Sequence, residues 1–268
     1  MIITDVSTLD ITKYKRFFVF GCSFTQYRWP TWADILHYDM SEGTEYYNTA
    51  TSGAGNFYIF SQLSQCVNKY DLTDTDLVAI MWTNFYREDR YIKGRHNNWM
   101  TPGNLYSQDQ YKKSFVDEMC CERGMSIRDI SLIDASQRIL QNEKCDTIMT
   151  SGIGLQEQSV YTGIDPDQET DLTDVWAIYT DIQSNMLPSV YELEYPNGWI
   201  TEYSYKHPDA EEEFGDYHPS VMGYKQYLEK LGFTLSNKTK QWVGEEHIRM
   251  LNVKHKDEIS ESEPRLIL

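Results

Sequence analysis

The chain has 268 residues, 40% of them apolar, with 20 Tyr, 10 Phe and 7 Trp, which is enough to bury one substantial core and excludes a disordered chain. A formal net charge of -17 repels phosphate backbones, and no Lys/Arg cluster offsets it locally, which argues against nucleic acid as a partner. No apolar run reaches membrane-spanning length and Met1-Ile2-Ile3-Thr4-Asp5 lacks the regions of a secretory signal, so the expectation is a cytoplasmic protein with no membrane partner.

In chain order, Phe17-Phe18-Val19-Phe20 is a continuous apolar run of strand length that stops at Gly21-Cys22-Ser23, as expected of a parallel strand covered on both faces. Tyr46-Tyr47 is a second strand candidate. After Asn56, residues Ile59, Leu63, Cys66 and Val67 recur at the spacing of one buried helical face. Leu77 to Trp82 reads as another buried strand. A further helix is expected from Ser126, whose Ser-x-x-Asp pattern with Asp129 has the form of a capping box, with Leu132, Ile133, Ser136, Ile139 and Leu140 on one face. Thr147-Ile148-Met149 is the fourth strand, ending at Ser151-Gly152. Pro219 suits a first helical turn, and Val221, Tyr224, Leu228 and Leu231 follow at helical spacing before Gly232.

Strands alternating with helices predict an α/β fold in which a central parallel sheet carries helices on both faces and ligands bind at the carboxyl ends of the strands. The expected organisation is a single domain over residues 1–252, with long insertions at about 83–125 and 151–215 lying over the site and a charged C-terminal tail over 253–268. Five cysteines, an odd number without CxxC spacing, are read as free thiols.

Ser23 falls at a strand end, where a tight turn allowed by Gly21 exposes its hydroxyl and a following helix would offer free N-H groups to an oxyanion. Asp216 and His218 are separated by one residue, so in an extended segment both side chains point to the same side and the carboxylate can hold the imidazole N-H. Asn48 to Asn56, with Gly53 and Gly55, joins a strand to a helix and allows close backbone approach to a ligand. Asn84 follows the strand ending at Trp82, where its amide is able to donate to the same oxyanion.

These segments resemble the blocks of the SGNH (GDSL-like) hydrolase superfamily, a likeness that extends to viral and bacterial members. Gly21-Cys22-Ser23-Phe24-Thr25 is similar to the nucleophile block, the Asn48–Asn56 stretch to the block that contributes a glycine N-H, Asn84 to the third block's asparagine, and Asp216 and His218 to the last block's acid and base. The resemblance implies a three-layer, flavodoxin-like sandwich and a serine esterase without a cofactor. Ser23 would be the nucleophile, His218 the base and Asp216 its orienter, with Ser23, Gly53 and Asn84 forming the oxyanion hole. Two positions depart from the pattern: Gly215 stands where the acid usually lies, three residues before the histidine, and the third block reads Trp82-Thr83-Asn84-Phe85. Arg87 is assigned only packing or substrate contact.

Rival chemistry is available in the sequence. His207, Asp209, Asp216 and His218 are metal-ligand types without a compact motif, and no metal is expected. Cys22 is a nucleophile type, but its neighbour fits the block and packing is its expected role. Trp99, Tyr106, Trp176, Tyr191, Tyr195 and Trp199 in the insertions either stack on sugar rings or hold the loops together; Trp99, Trp176 and Trp199 are taken as the substrate-binding set. The function expected is ester hydrolysis through an acyl-enzyme on a small-molecule or glycan ester, in particular O-acetylated glycans. The alternative is a catalytically silent SGNH-like module that binds glycans or takes part in a larger assembly such as a virus particle.

Overall fold

A computed structural model describes residues 1–93, 99–106, 110–155, 171–194 and 218–252. Its centre is a five-stranded parallel sheet. The strands are β1 (Ile2–Ile3), β2 (Arg16–Phe20), β3 (Glu45–Asn48), β4 (Asp76–Trp82) and, after the small antiparallel pair β5 (Arg90–Tyr91) and β6 (Trp99–Met100), β7 (Asp146–Ser151). They lie in the order β1-β7-β4-β2-β3.

Strand periodicity decides which side chains face which layer. Phe17 and Val19 of β2 join Leu77, Ala79 and Met81 of β4 in one buried cluster, whereas Phe18, Phe20, Val78, Ile80 and Trp82 join the other. The apolar runs are continuous because both faces of the sheet are covered. On the first face lie α1 (Trp32–Asp39), α8 (Val221–Leu231) and α9 (Asn237–Leu251); on the second lie α2 (Asn56–Lys69) and α4 (Glu122–Gln141). The molecule is thus a three-layer α/β structure. Fully burying one Phe of β2 contributes roughly 2–3 kcal/mol, so the sheet is held largely by its own apolar strands.

Several expectations need correction. No helix follows Ser23 directly: α1 begins at Trp32, after Pro30 and a cap in which the Asp34 carboxylate accepts the Thr31 N-H at 2.8 Å. The Ser126 capping box does not exist, since α4 starts at Glu122 and Ser126 is buried inside it. Asp129 turns instead to Arg128 and Asn56. Pro219 precedes the α8 cap, which is Ser220, whose Oγ accepts the Gly223 N-H.

The two insertions are partly structured. In the first, β5, β6 and α3 (Lys113–Met119) fill part of the span, and 122–125 already belong to α4. In the second, α5 (Thr173–Ile178), α6 (Asp181–Ser184) and α7 (Val190–Glu194) occur, and Leu187 N-H donates to the Met149 carbonyl of β7, one residue past the positions that pair with β1. The expected tail over 253–268 lies outside the described residues. All five cysteines are free thiols, and Cys22 is buried. Among the described residues no helix is long and apolar enough to cross a membrane.

Candidate active site

The sheet order makes β2 the point where the chain reverses direction of winding, with β3 laid on one side and β4 on the other. Such switch points open a crevice beyond the carboxyl ends of the strands. Ser23 stands three residues past the end of β2 in that crevice. Its turn closes through Thr25 and Gln26 N-H groups donating to the Cys22 carbonyl. Gly21 is required here, because a Cβ would lie 2.1 Å from Thr25 Oγ1. The Thr25 carbonyl in turn accepts from Thr31 Oγ1 at 2.7 Å and Asn48 Nδ2 at 3.1 Å, which ties the serine turn to α1 and β3.

Across the crevice, the turn that leads into α8 delivers His218, and its Nε2 lies 2.7 Å from Ser23 Oγ. The imidazole is also held by rings. Tyr27 stacks on it at a centroid distance of 3.8 Å and Phe24 leans against it at 5.1 Å. Tyr27 meets Trp29 edge-on, and Trp29 Nε1 donates to the Pro219 carbonyl at 2.8 Å. One aromatic cluster therefore fixes both the ring and the backbone that carries it. Asp216 lies outside the described residues. Ser23 itself is only 7% exposed.

Gly53 and Asn84 sit on the same carboxyl edge, past β3 and β4. Gly53 has φ of 75°, and a Cβ there would stand 2.3 Å from the Thr101 carbonyl oxygen. Its own carbonyl accepts the Gly103 N-H at 3.0 Å, while Thr101 Oγ1 donates to the Ser52 carbonyl. The first insertion therefore braces the glycine loop from behind. Asn84 is buried, and its Oδ1 accepts from Arg87 Nε and, at 3.3 Å, from Thr83 Oγ1.

Behind this loop is a buried polar network that the sequence gives no direct sign of. Asp89 accepts the Gly55 and Tyr58 N-H groups, capping α2. Asn56 spans Thr83 and Asp129, accepting the Thr83 N-H and donating to the Thr83 carbonyl and to Asp129 Oδ2. Arg128 pairs with Asp129 and Glu88. Burial pushes the Asp89 carboxyl up to about 6 and the Asp129 carboxyl up to about 7, against the hydrogen bonds and arginines that favour their ionised forms.

The aromatic candidates divide. Trp99 is 9% exposed and meets Phe57, Tyr58 and Tyr91 edge-on, so it is the centre of a small core and not an open platform for a sugar. Trp176 is half-buried against the second-face cluster. Trp199, Tyr195, His207 and Asp209 lie outside the described residues. Among the described residues no group of three or more His, Cys, Asp or Glu side chains could hold a metal ion. Tyr27 and Trp29 are the site residues that sequence reasoning missed, and for Arg87, expected only to pack or touch substrate, it missed the contacts with Asn84 and the Ala54 carbonyl. The proximity of Tyr27 and Trp29 to Ser23 in the chain was the available signal. The sequence matches no protein-family model and no curated protein.

Proposed function

We propose that the protein is a serine hydrolase of acyl esters. More narrowly, it is an SGNH-type esterase on a flavodoxin-like frame, the order β3-β2-β4-β7 corresponding to the first four strands of that arrangement. The observation that carries the reading is the 2.7 Å contact between Ser23 Oγ and His218 Nε2, two residues 195 positions apart whose types and geometry suit nucleophile and base.

With the ring proton on Nδ1, His218 Nε2 accepts the Ser23 hydroxyl proton as Oγ bonds to the ester carbonyl carbon. The carbonyl electron pair moves to oxygen, and the Ser23 and Gly53 N-H groups with Asn84 Nδ2 donate to that oxyanion. Collapse expels the alcohol, which takes its proton from His218. Water, deprotonated by the same nitrogen, then attacks the acyl-enzyme, and the acid leaves as Ser23 regains its proton. Asp216 is assigned the second imidazole nitrogen. Acetyl esters of glycans suit this chemistry, since the leaving group is a sugar alcohol; with Trp99 engaged in packing, Trp176 and Trp199 are the aromatics left to contact it.

The test is hydrolysis of p-nitrophenyl acetate by wild type, Ser23→Ala and His218→Ala. Both variants are expected to lose about 10³-fold or more in kcat. Equal rates in wild type and Ser23→Ala would remove the mechanism and favour the catalytically silent binding module.

A further inference from the structure

We infer that Arg87 is a positioning residue of the oxyanion site, acting through Asn84 and through the glycine loop together. The inference rests on the esterase reading for its consequence but on the hydrogen bonds for its geometry. An asparagine amide has two ends of opposite polarity. If it turned over, Asn84 would present an oxygen to the developing oxyanion and repel it. A guanidinium carries only donors, so the Asn84 atom facing Arg87 Nε is necessarily its oxygen, and the NH2 group is left on the opposite side of the amide. The same guanidinium reaches with Nη1 to the Ala54 carbonyl at 2.7 Å, one residue past Gly53.

One rigid planar group therefore sets the spacing between the two donors that Ser23 does not itself supply. Arg87 is in turn fixed from behind. Its carbonyl accepts from Arg128 Nη2 at 2.7 Å, and its backbone pairs with Asn104 in an isolated bridge. Two residues on, Asp89 holds the Gly55 and Tyr58 N-H groups, so the 84–89 segment grips the glycine loop and the first turn of α2 by a carbonyl and by two amides. A lysine at 87 keeps the charge but lacks the fork needed to meet both acceptors.

The experiment is a double-mutant cycle between Arg87→Ala and Asn84→Ala on p-nitrophenyl acetate, with Ser23→Ala as control and Arg87→Lys run in parallel should the alanine variant fail to fold. Arg87→Ala is expected to lower kcat about 10- to 100-fold with KM within about twofold, and the double variant to lose less than the product of the two single losses, because the part of the Arg87 effect carried by Asn84 is already gone in Asn84→Ala. Multiplying effects, or an Arg87→Ala kcat equal to wild type, would overturn the inference. The second readout is the pair of Asn84 side-chain NH2 signals by NMR. Two sharp, well-separated resonances are expected in wild type, broadened or shifted toward the free-amide position in Arg87→Ala and in Arg87→Lys. Unchanged signals would overturn the inference even in a protein whose hydrolysis proved independent of Ser23, an outcome that by itself counts against the esterase reading and not against the positioning role.

Discussion

Gly53→Ala tests the oxyanion geometry with one methyl group. The added Cβ would lie 2.3 Å from the Thr101 oxygen, and real Cβ atoms essentially never come closer than 3.0 Å. Either the glycine loop or the 101–103 segment must therefore move by at least about 0.7 Å, a displacement close to the ~1 Å at which misplaced catalytic groups lose about 10²-fold in rate. The positive φ of 75° adds roughly 1–2 kcal/mol of left-handed backbone penalty. Gly43→Ala separates the two effects. It has φ of 92° with nothing within 4 Å of the new Cβ, and it precedes β3 at the end of the sheet opposite Ser23. Both variants should melt about 2–8 °C lower than wild type. Only Gly53→Ala should lose about 10²-fold in kcat on p-nitrophenyl acetate. A Gly53→Ala protein with wild-type kcat, or a Gly43→Ala protein with an equal loss, would refute the reasoning.

Tyr27→Leu and Trp29→Phe should each lower kcat about 10-fold with little change in KM, because one removes the ring stacked on His218 and the other the donor to the Pro219 carbonyl; unchanged kinetics in both would exclude aromatic positioning of the histidine. Asp129, with Asp89, takes up a proton in the folded protein at a pH where the unfolded chain does not, so their contribution to stability declines as pH rises from about 4 to 7. Asp129→Asn should flatten that decline, as read from urea midpoints at pH 5 and 7.5, and an unaltered slope would count against its assignment. Arg16→Met leaves the buried Asp76 carboxylate without its 2.5 Å partner. The expected loss is about 2–3 kcal/mol, below the figure for a wholly buried pair because Arg16 is partly exposed, and urea unfolding would measure it.

The central strands β2 and β4 were legible because burial on both faces leaves uninterrupted apolar runs, and residues 17–20 and 77–82 needed no further context, whereas the two-residue strands β1, β5 and β6 are too short to show a pattern and were not expected. Helix starts were less so. Thr31-x-x-Asp34 and Ser126-x-x-Asp129 carry the same pattern, yet only the first is a cap. At the second, Asp129 is drawn into a buried pair with Arg128 and Asn56, a tertiary contact that overrides the local signal and lets α4 begin a turn earlier. The meeting of Ser23 and His218 was readable from residue types, a serine just past a strand and a histidine just ahead of a helix. Arg87 was not, because its role depends on the Ala54 carbonyl and the Asn84 amide facing one another across a loop, and no spacing in the chain encodes that distance.

Every neighbouring pair in the main sheet is parallel, so no strand in it can form against its neighbour through a short hairpin, and folding must close long loops first. The contact between Ser23 and His218 closes one of the longest, spanning 195 positions. A refolding chain can complete β2, β3 and β4 with their intervening helices α1 and α2 while α8 is still undocked. Recovery of hydrolytic activity should consequently trail recovery of secondary structure after dilution from denaturant, making the reaction itself a clock for the last docking step.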